Sequence, residues 1–210
     1  MEQTIISLDS HVVEVPDLWE KGLPQSLRNR APKVYFAEKR DAWMFGSPEV
    51  QAQAVGALFM AGGKPEEVES YRRAGFSIAR PGGWDPIVRL GDMKTDGVAA
   101  EVLYPSLGLG LYCITDAAFQ EAIFRTYNDW IIDYCQKVPD RLYGIALISM
   151  YNIDNAIAEM ERCKKAGIVG TMIWQVPDPK LPFTAEHYER FWAASQDLDL
   201  PVHLHILTGF

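Results

Sequence analysis

Cysteine is scarce in these 210 residues: Cys113, Cys135 and Cys163 are widely spaced, and no Cys-x-x-Cys pair occurs. An odd, scattered set excludes a disulfide framework and a thiolate zinc cluster, and predicts reduced thiols in a cytoplasmic protein. Positive charge is short as well: 20 Lys and Arg against 28 Asp and Glu give a net charge of −8 and a pI near 5.0. That balance argues against a nucleic-acid partner and against an anionic membrane surface. No apolar run approaches the ~20 residues of a membrane helix, and with Met1 almost directly before the first predicted strand no signal peptide is expected. A glycine-rich turn after that strand, the mark of an open nucleotide-binding sheet, is also missing. The position reads Ser10-His11-Val12-Val13-Glu14, and Gly108-Leu109-Gly110 further on is too short to replace it.

What is present is an ordinary globular core, 48% hydrophobic and 23% charged. The chemistry concentrates at two places. Residues 5–13, Ile-Ile-Ser-Leu-Asp-Ser-His-Val-Val, read as a short apolar strand. Residues i and i+2 of a strand share a face, so Asp9 and His11 should project together at its C-terminal end. A hard oxygen beside a borderline nitrogen is half of the first shell that a divalent cation needs. At the other end of the chain, Leu200-Pro201-Val202-His203-Leu204-His205-Ile206 is a second apolar strand with its own i, i+2 histidines. Three of the four histidines thus sit at the ends of two strands; the fourth, His187, lies in a polar helix start and should be on the surface.

Between these ends the pattern is regular except for residues 14–83. That stretch predicts a short helix around Leu18 and Trp19, a hairpin over residues 33–45 and a helical patch over 65–74, with many glycines between. It reads as an insertion of the kind that forms lids or substrate-facing loops. From Asp85 helices and strands alternate: helices over residues 86–93, 116–137, 153–166 and 184–198, and strands over 100–105, 142–150, 169–174 and 201–206. Apolar strands separated by amphipathic helices imply parallel pairing. An open doubly wound sheet and part of a (β/α)8 barrel both fit the order. The barrel is preferred, because barrels collect functional groups at strand C-terminal ends, where Asp9, His11, Trp174 and His205 fall.

The chain also resembles a known family. The stretches Ile6-Ser7-Leu8-Asp9-Ser10-His11-Val12-Val13-Glu14, Gly83-Trp84-Asp85-Pro86, Arg89-Leu90-Gly91-Asp92-Met93, Leu103-Tyr104-Pro105, Tyr127-Asn128-Asp129-Trp130, Pro139-Asp140-Arg141-Leu142 and Leu200-Pro201-Val202-His203-Leu204-His205 occur in its order and spacing. They resemble the amidohydrolase-related branch of the metal-dependent hydrolase superfamily, which includes aromatic-acid and aminocarboxymuconate semialdehyde decarboxylases. The resemblance implies a distorted TIM barrel, here about five of eight strands, with one divalent ion, zinc or manganese, at its mouth. Asp9, His11 and His205 match the family's metal ligands. His203, one pleat deeper, and Trp174, at the end of its strand, are assigned to the substrate side. The family's proton-transferring aspartate belongs to a later strand, so no catalytic acid is assigned here. The chain is accordingly expected to be the N-terminal portion of one barrel domain, subject to self-association or completion by another chain.

The favoured chemistry is non-oxidative decarboxylation of an aromatic or related carboxylic acid. Metal-dependent hydrolysis of an amide, ester or lactone uses the same ligands. An inactive fragment or binding subunit, and a metal-free doubly wound binding protein, are the readings from other classes.

Overall fold

The computed structural model describes residues 4–209, apart from the side chain of Ala57. Strand β1 (Ile5–His11) opens the chain and pairs in parallel with β5 (Val98–Tyr104), far along the sequence. Residues 14–83 lie between them: helix α1 (Leu18–Gly22), the antiparallel hairpin of β2 (Lys33–Ala37) and β3 (Ala42–Gly46), the short β4 (Gln53–Ala54) and helix α2 (Val68–Ala74). The hairpin pairs Tyr35 with Met44 and Phe36 with Trp43, as its apolar flanks require.

Helix α3 (Pro86–Asp96) starts where Asp85 accepts hydrogen bonds from the backbone N–H groups of Ile87 and Val88, with proline in the first turn. It runs three residues beyond the predicted Met93 and stops at Gly97, whose left-handed φ of 71° suits glycine. Then follow α4 (Ala117–Gln136), β6 (Leu142–Leu147), α5 (Ile153–Lys165), β7 (Gly170–Ile173), α6 (Glu189–Asp197) and β8 (Val202–Leu204). Helix α4 buries Phe119, Ile123, Tyr127, Ile131 and Tyr134 on one side, the 3.6-residue stripe of its sequence. The strands are shorter than predicted at their C-terminal ends, so His205 lies one residue past β8 and Trp174 one past β7.

The main sheet has the order β1-β5-β6-β7-β8, and every pair is parallel. Strands lie about 4.8 Å apart, so in a flat sheet β1 and β8 would stand about 19 Å from each other. Side chains from their C-terminal ends nevertheless approach to 3.6 Å, Asp9 Oδ1 to His205 Nε2. Tyr104 of β5 reaches His203 of β8 at 2.6 Å. The sheet is therefore curled into an arc, an incomplete barrel of TIM type. Apolar side chains stay exposed along both edges, Ile6 and Leu8 on β1 and Leu204 on β8 with Ile206 just beyond. The buried thiols of Cys135 and Cys163 are pushed up to about 12, and no disulfide joins the described cysteines. Among the described residues no helix is long and apolar enough to cross a membrane.

Candidate metal centre

Strand β1 is irregular where it delivers its polar pair. Ser7 pairs with Glu101 and Ser10 with Leu103, so three steps on β1 face two on β5. Such a bulge bends a strand and re-aims the side chain it carries, and Asp9 sits on it. His11, the last residue of β1, lies 3.6 Å from Asp9 through Nε2. His205 Nε2 lies 3.6 Å from the same carboxylate oxygen. The two imidazoles meet edge to face at 5.1 Å between centroids. One donor atom from each of Asp9, His11 and His205 falls within a span of 4.8 Å.

Both imidazoles are held through their other nitrogen. His11 Nδ1 donates to the carbonyl of Pro105 at 2.7 Å, and His205 Nδ1 to the carbonyl of Ile206 at 2.8 Å. A proton on Nδ1 leaves the Nε2 lone pair facing Asp9, the tautomer that ligates a cation. Burial lowers the His11 pKa, the neighbouring His205 adds to this, and the Pro105 bond and Asp9 oppose it. The neutral ring is thereby favoured, the form that binds metal. The donor set fits a divalent ion. Four-coordinate ligands at about 2.1 Å stand about 3.4 Å from one another, close to the two 3.6 Å separations found. One carboxylate and two imidazoles suit zinc, manganese and similar dications.

Tyr104 lies among three of the histidines, and sequence reasoning did not single it out. Its ring lies 5.9 Å from His11, 5.4 Å from His205 and 5.6 Å from His203. The available signal was its place at the C-terminal end of β5, level with His11 in the register. His203 stands outside the donor cluster: Nδ1 is bonded to the Tyr104 hydroxyl, and Nε2 occupies the space above Gly170. Trp174 is 2% exposed and meets Tyr151 edge-on at 5.2 Å. His187 is exposed against Tyr188, away from the cluster.

A second missed residue is Glu14, fully buried in the loop after β1. Its carboxylate accepts from the backbone N–H groups of Ser106 at 3.2 Å, Leu107 at 2.9 Å and Gly108 at 2.8 Å. Burial raises its pKa, and these three bonds oppose the rise. Its signal was an acid inside the apolar run Val12-Val13-Glu14-Val15. Behind the strand, the Arg89 guanidinium pairs with Glu101 and donates to the backbone carbonyl of His11 at 3.0 Å.

Comparison with known proteins agrees with this architecture. Residues 16–209 match the family model described as amidohydrolase; the match begins after Asp9 and His11, so that pair stands on its geometry. A gamma-resorcylate decarboxylase from Rhizobium sp. (strain MTP-10005) is 33% identical over 89 residues, which are 40% of this chain and 27% of that one. An amidohydrolase structure from Mycobacterium avium subsp. paratuberculosis K-10 superposes with a TM-score of 0.75 at 15% identity, covering 98% of this chain and 58% of that one. A dihydroxybenzoic acid decarboxylase from Polaromonas sp. JS666, solved with manganese and the inhibitor 2-nitroresorcinol, superposes with a TM-score of 0.55 at 20% identity, covering 96% of this chain and 49% of that one. The chain thus spans about half the length of these solved structures. A family match over nearly all of the chain, on a parallel sheet curled into a barrel arc, makes it a member of the amidohydrolase family.

Proposed function

We propose that Asp9, His11 and His205 hold one divalent ion, zinc or manganese, and that the site serves non-oxidative decarboxylation of an aromatic carboxylic acid. The observation that carries the reading is the convergence of three donor atoms within 4.8 Å at the strand C-terminal ends. The decarboxylase activity named for the Rhizobium relative and the Polaromonas structure supports this chemistry over hydrolysis, and the manganese in the latter supports the choice of ion. When bound, the ion supplies a Lewis acid for the carboxylate and a neighbouring hydroxyl oxygen of the substrate.

The chain's own residues account for capture and orientation. Asp9 would offset one charge of a dication and imidazole ligands add none, so the centre would keep one net positive charge to draw in a carboxylate. The Pro105 and Ile206 carbonyls fix the two rings, so little reorientation is needed on binding. Tyr104 closes the floor, and its burial raises the hydroxyl pKa, with Asp9 adding to the rise, so it stays protonated at neutral pH. In the same reading His203 and Trp174 belong to the substrate side, His203 through its bond to Tyr104 and Trp174 beside Tyr151. The reaction adds a proton to the ring carbon as the bond to the carboxyl carbon breaks and carbon dioxide leaves. The exposed apolar edges of β1 and β8 favour assembly, either with a second copy or with another polypeptide that adds strands.

The test is release of labelled carbon dioxide from carboxyl-labelled 2,6-dihydroxybenzoate by protein supplied with manganese or zinc. Release that falls at least 100-fold in His205→Ala supports the reading. Stoichiometric metal binding with ester or lactone hydrolysis and no carbon dioxide would replace it with the hydrolase reading.

A further inference from the structure

Glu14 lies outside the Asp9, His11 and His205 donor group but is linked to it. Its carboxylate is fully buried and gathers three consecutive backbone N–H groups, those of Ser106, Leu107 and Gly108. The carbonyl immediately before them in the chain, that of Pro105, accepts the hydrogen bond from His11 Nδ1 at 2.7 Å. Around this point β1 and the loop after β5 are stitched together twice more. Val12 N–H donates to the Tyr104 carbonyl at 2.9 Å, and the Ser106 hydroxyl donates to the Val12 carbonyl at 2.7 Å. The turn leaves no slack: a β-carbon on Gly108 would stand 3.2 Å from Glu14 Oε1 and 2.8 Å from the Pro105 ring.

We propose that Glu14 is a positioning residue for the metal centre: by anchoring residues 106–108 it fixes the Pro105 carbonyl, and that carbonyl holds His11 in the Nδ1-protonated tautomer with Nε2 free to ligate. The inference rests on His11 being a ligand. Its physical basis is that a short, buried, fully hydrogen-bonded turn has few alternative conformations, so its first carbonyl is a rigid acceptor. Burying a carboxylate is unfavourable unless its oxygens are satisfied, and here the donors are supplied by the loop whose Pro105 carbonyl holds His11. His205 takes its own carbonyl, that of Ile206, from a different segment and is independent of Glu14.

That independence makes the test specific. In Glu14→Gln the amide nitrogen turns a donor towards backbone donors, so the loop loses at least one of its three bonds. Ring-nitrogen NMR of the metal-free protein should then show His11 passing from a single Nδ1-protonated tautomer to a mixture, while His205 keeps its Nδ1-protonated tautomer. Manganese and zinc affinity should fall about 10- to 100-fold, the usual effect of losing support behind a ligating histidine. A folded Glu14→Gln whose His11 tautomer and metal affinity equal those of the unaltered protein overturns the proposal. So does a parallel change at His11 and His205, which marks general loosening. Should Glu14→Gln not fold, the unaltered protein decides. Coupling between two sites is reciprocal, so metal binding should slow hydrogen exchange at the Leu107 and Gly108 amides, and unchanged exchange there overturns the proposal. A protein that binds no metal while keeping a Glu14-dependent His11 tautomer would instead refute the metal reading and with it this role for Glu14, leaving only an orienting effect on the His11 ring.

Discussion

Replacing Gly170 with alanine tests the curl of the sheet by a change in sign. Gly170 opens β7, between β6 and β8 in the parallel sheet, and its φ is not in the left-handed region, so alanine is conformationally permitted there. On backbone entropy alone Gly→Ala would stabilise by about 0.4–1 kcal/mol. The barrel interior reverses this. The new β-carbon would stand 2.4 Å from His203 Nε2, 2.9 Å from its Cδ2 and 2.9 Å from Ile145 Cδ1. Isoleucine can shift its terminal methyl, but the imidazole is held by the Tyr104 hydroxyl at 2.6 Å. Overpacking of this kind costs about 1–3 kcal/mol, and breaking the hydrogen bond adds about 1 kcal/mol. Net of the entropic gain, Gly170→Ala should therefore destabilise by about 1–3.5 kcal/mol in urea unfolding at pH 7.5, where burial keeps His203 neutral. With the ring removed in His203→Ala, the same alanine should become neutral or stabilising. The double-mutant coupling should exceed about 1 kcal/mol, and effects that simply add within about 0.5 kcal/mol would refute the placement of His203 inside the arc.

Two further outcomes follow from the buried network between α4, β6 and α5. The Asn128 side chain, with no exposed area, accepts from Leu147 N–H at 2.7 Å and donates to its carbonyl at 3.0 Å. Asn128→Ala leaves both groups unpaired and should cost about 2–4 kcal/mol in the same unfolding assay; a loss under about 0.5 kcal/mol would contradict the bonding. Burial alone would raise the Glu159 pKa, but Arg162, Asn128 and Arg125 outweigh it and hold the carboxyl below its usual value of 4.5. A depressed carboxylate contributes stability above the unfolded pKa and loses it as pH falls through the folded one. Acid unfolding below about pH 4.5 should thus be shallower in Glu159→Gln than in the unaltered protein, and identical slopes would contradict the shift.

Much of this molecule is legible in its sequence because its local rules agree with its fold. The alternation of apolar strands and amphipathic helices after Asp85 is realised in order, although the helix expected over 184–198 is a 3-10 turn at Glu186–Tyr188 followed by α6 from Glu189, and the Asp85 and Asp116 caps act through the bonds their residue types predict. The i, i+2 spacing put Asp9 and His11 on one side despite the bulge, because the irregularity shifts the partner register and leaves the pair together. What was hidden depends on contacts between distant segments. Strand periodicity states which face is apolar but not how far a sheet curls, so the approach of His205 to Asp9 needed the structure. Glu14 stands out locally only as an acid in an apolar run, and its hydrogen bonding exists only where residues 106–108 turn their N–H groups towards it. Tyr104 reads as a core aromatic until three histidines surround it.

The measurement that bears most directly on the whole account is metal content and affinity of the unaltered protein beside Asp9→Ala, His11→Ala and His205→Ala. The geometry predicts one zinc or manganese per chain, removable by chelator. Unfolding stability should rise by about 2.7 kcal/mol at a free metal concentration 100 times Kd. Each substitution removes one of three donors and should weaken binding by about 100-fold or more, beyond the 10- to 100-fold typical of groups behind the ligands, while His187→Ala changes nothing. Equal metal content and affinity in the unaltered protein and His11→Ala would contradict the account at its centre.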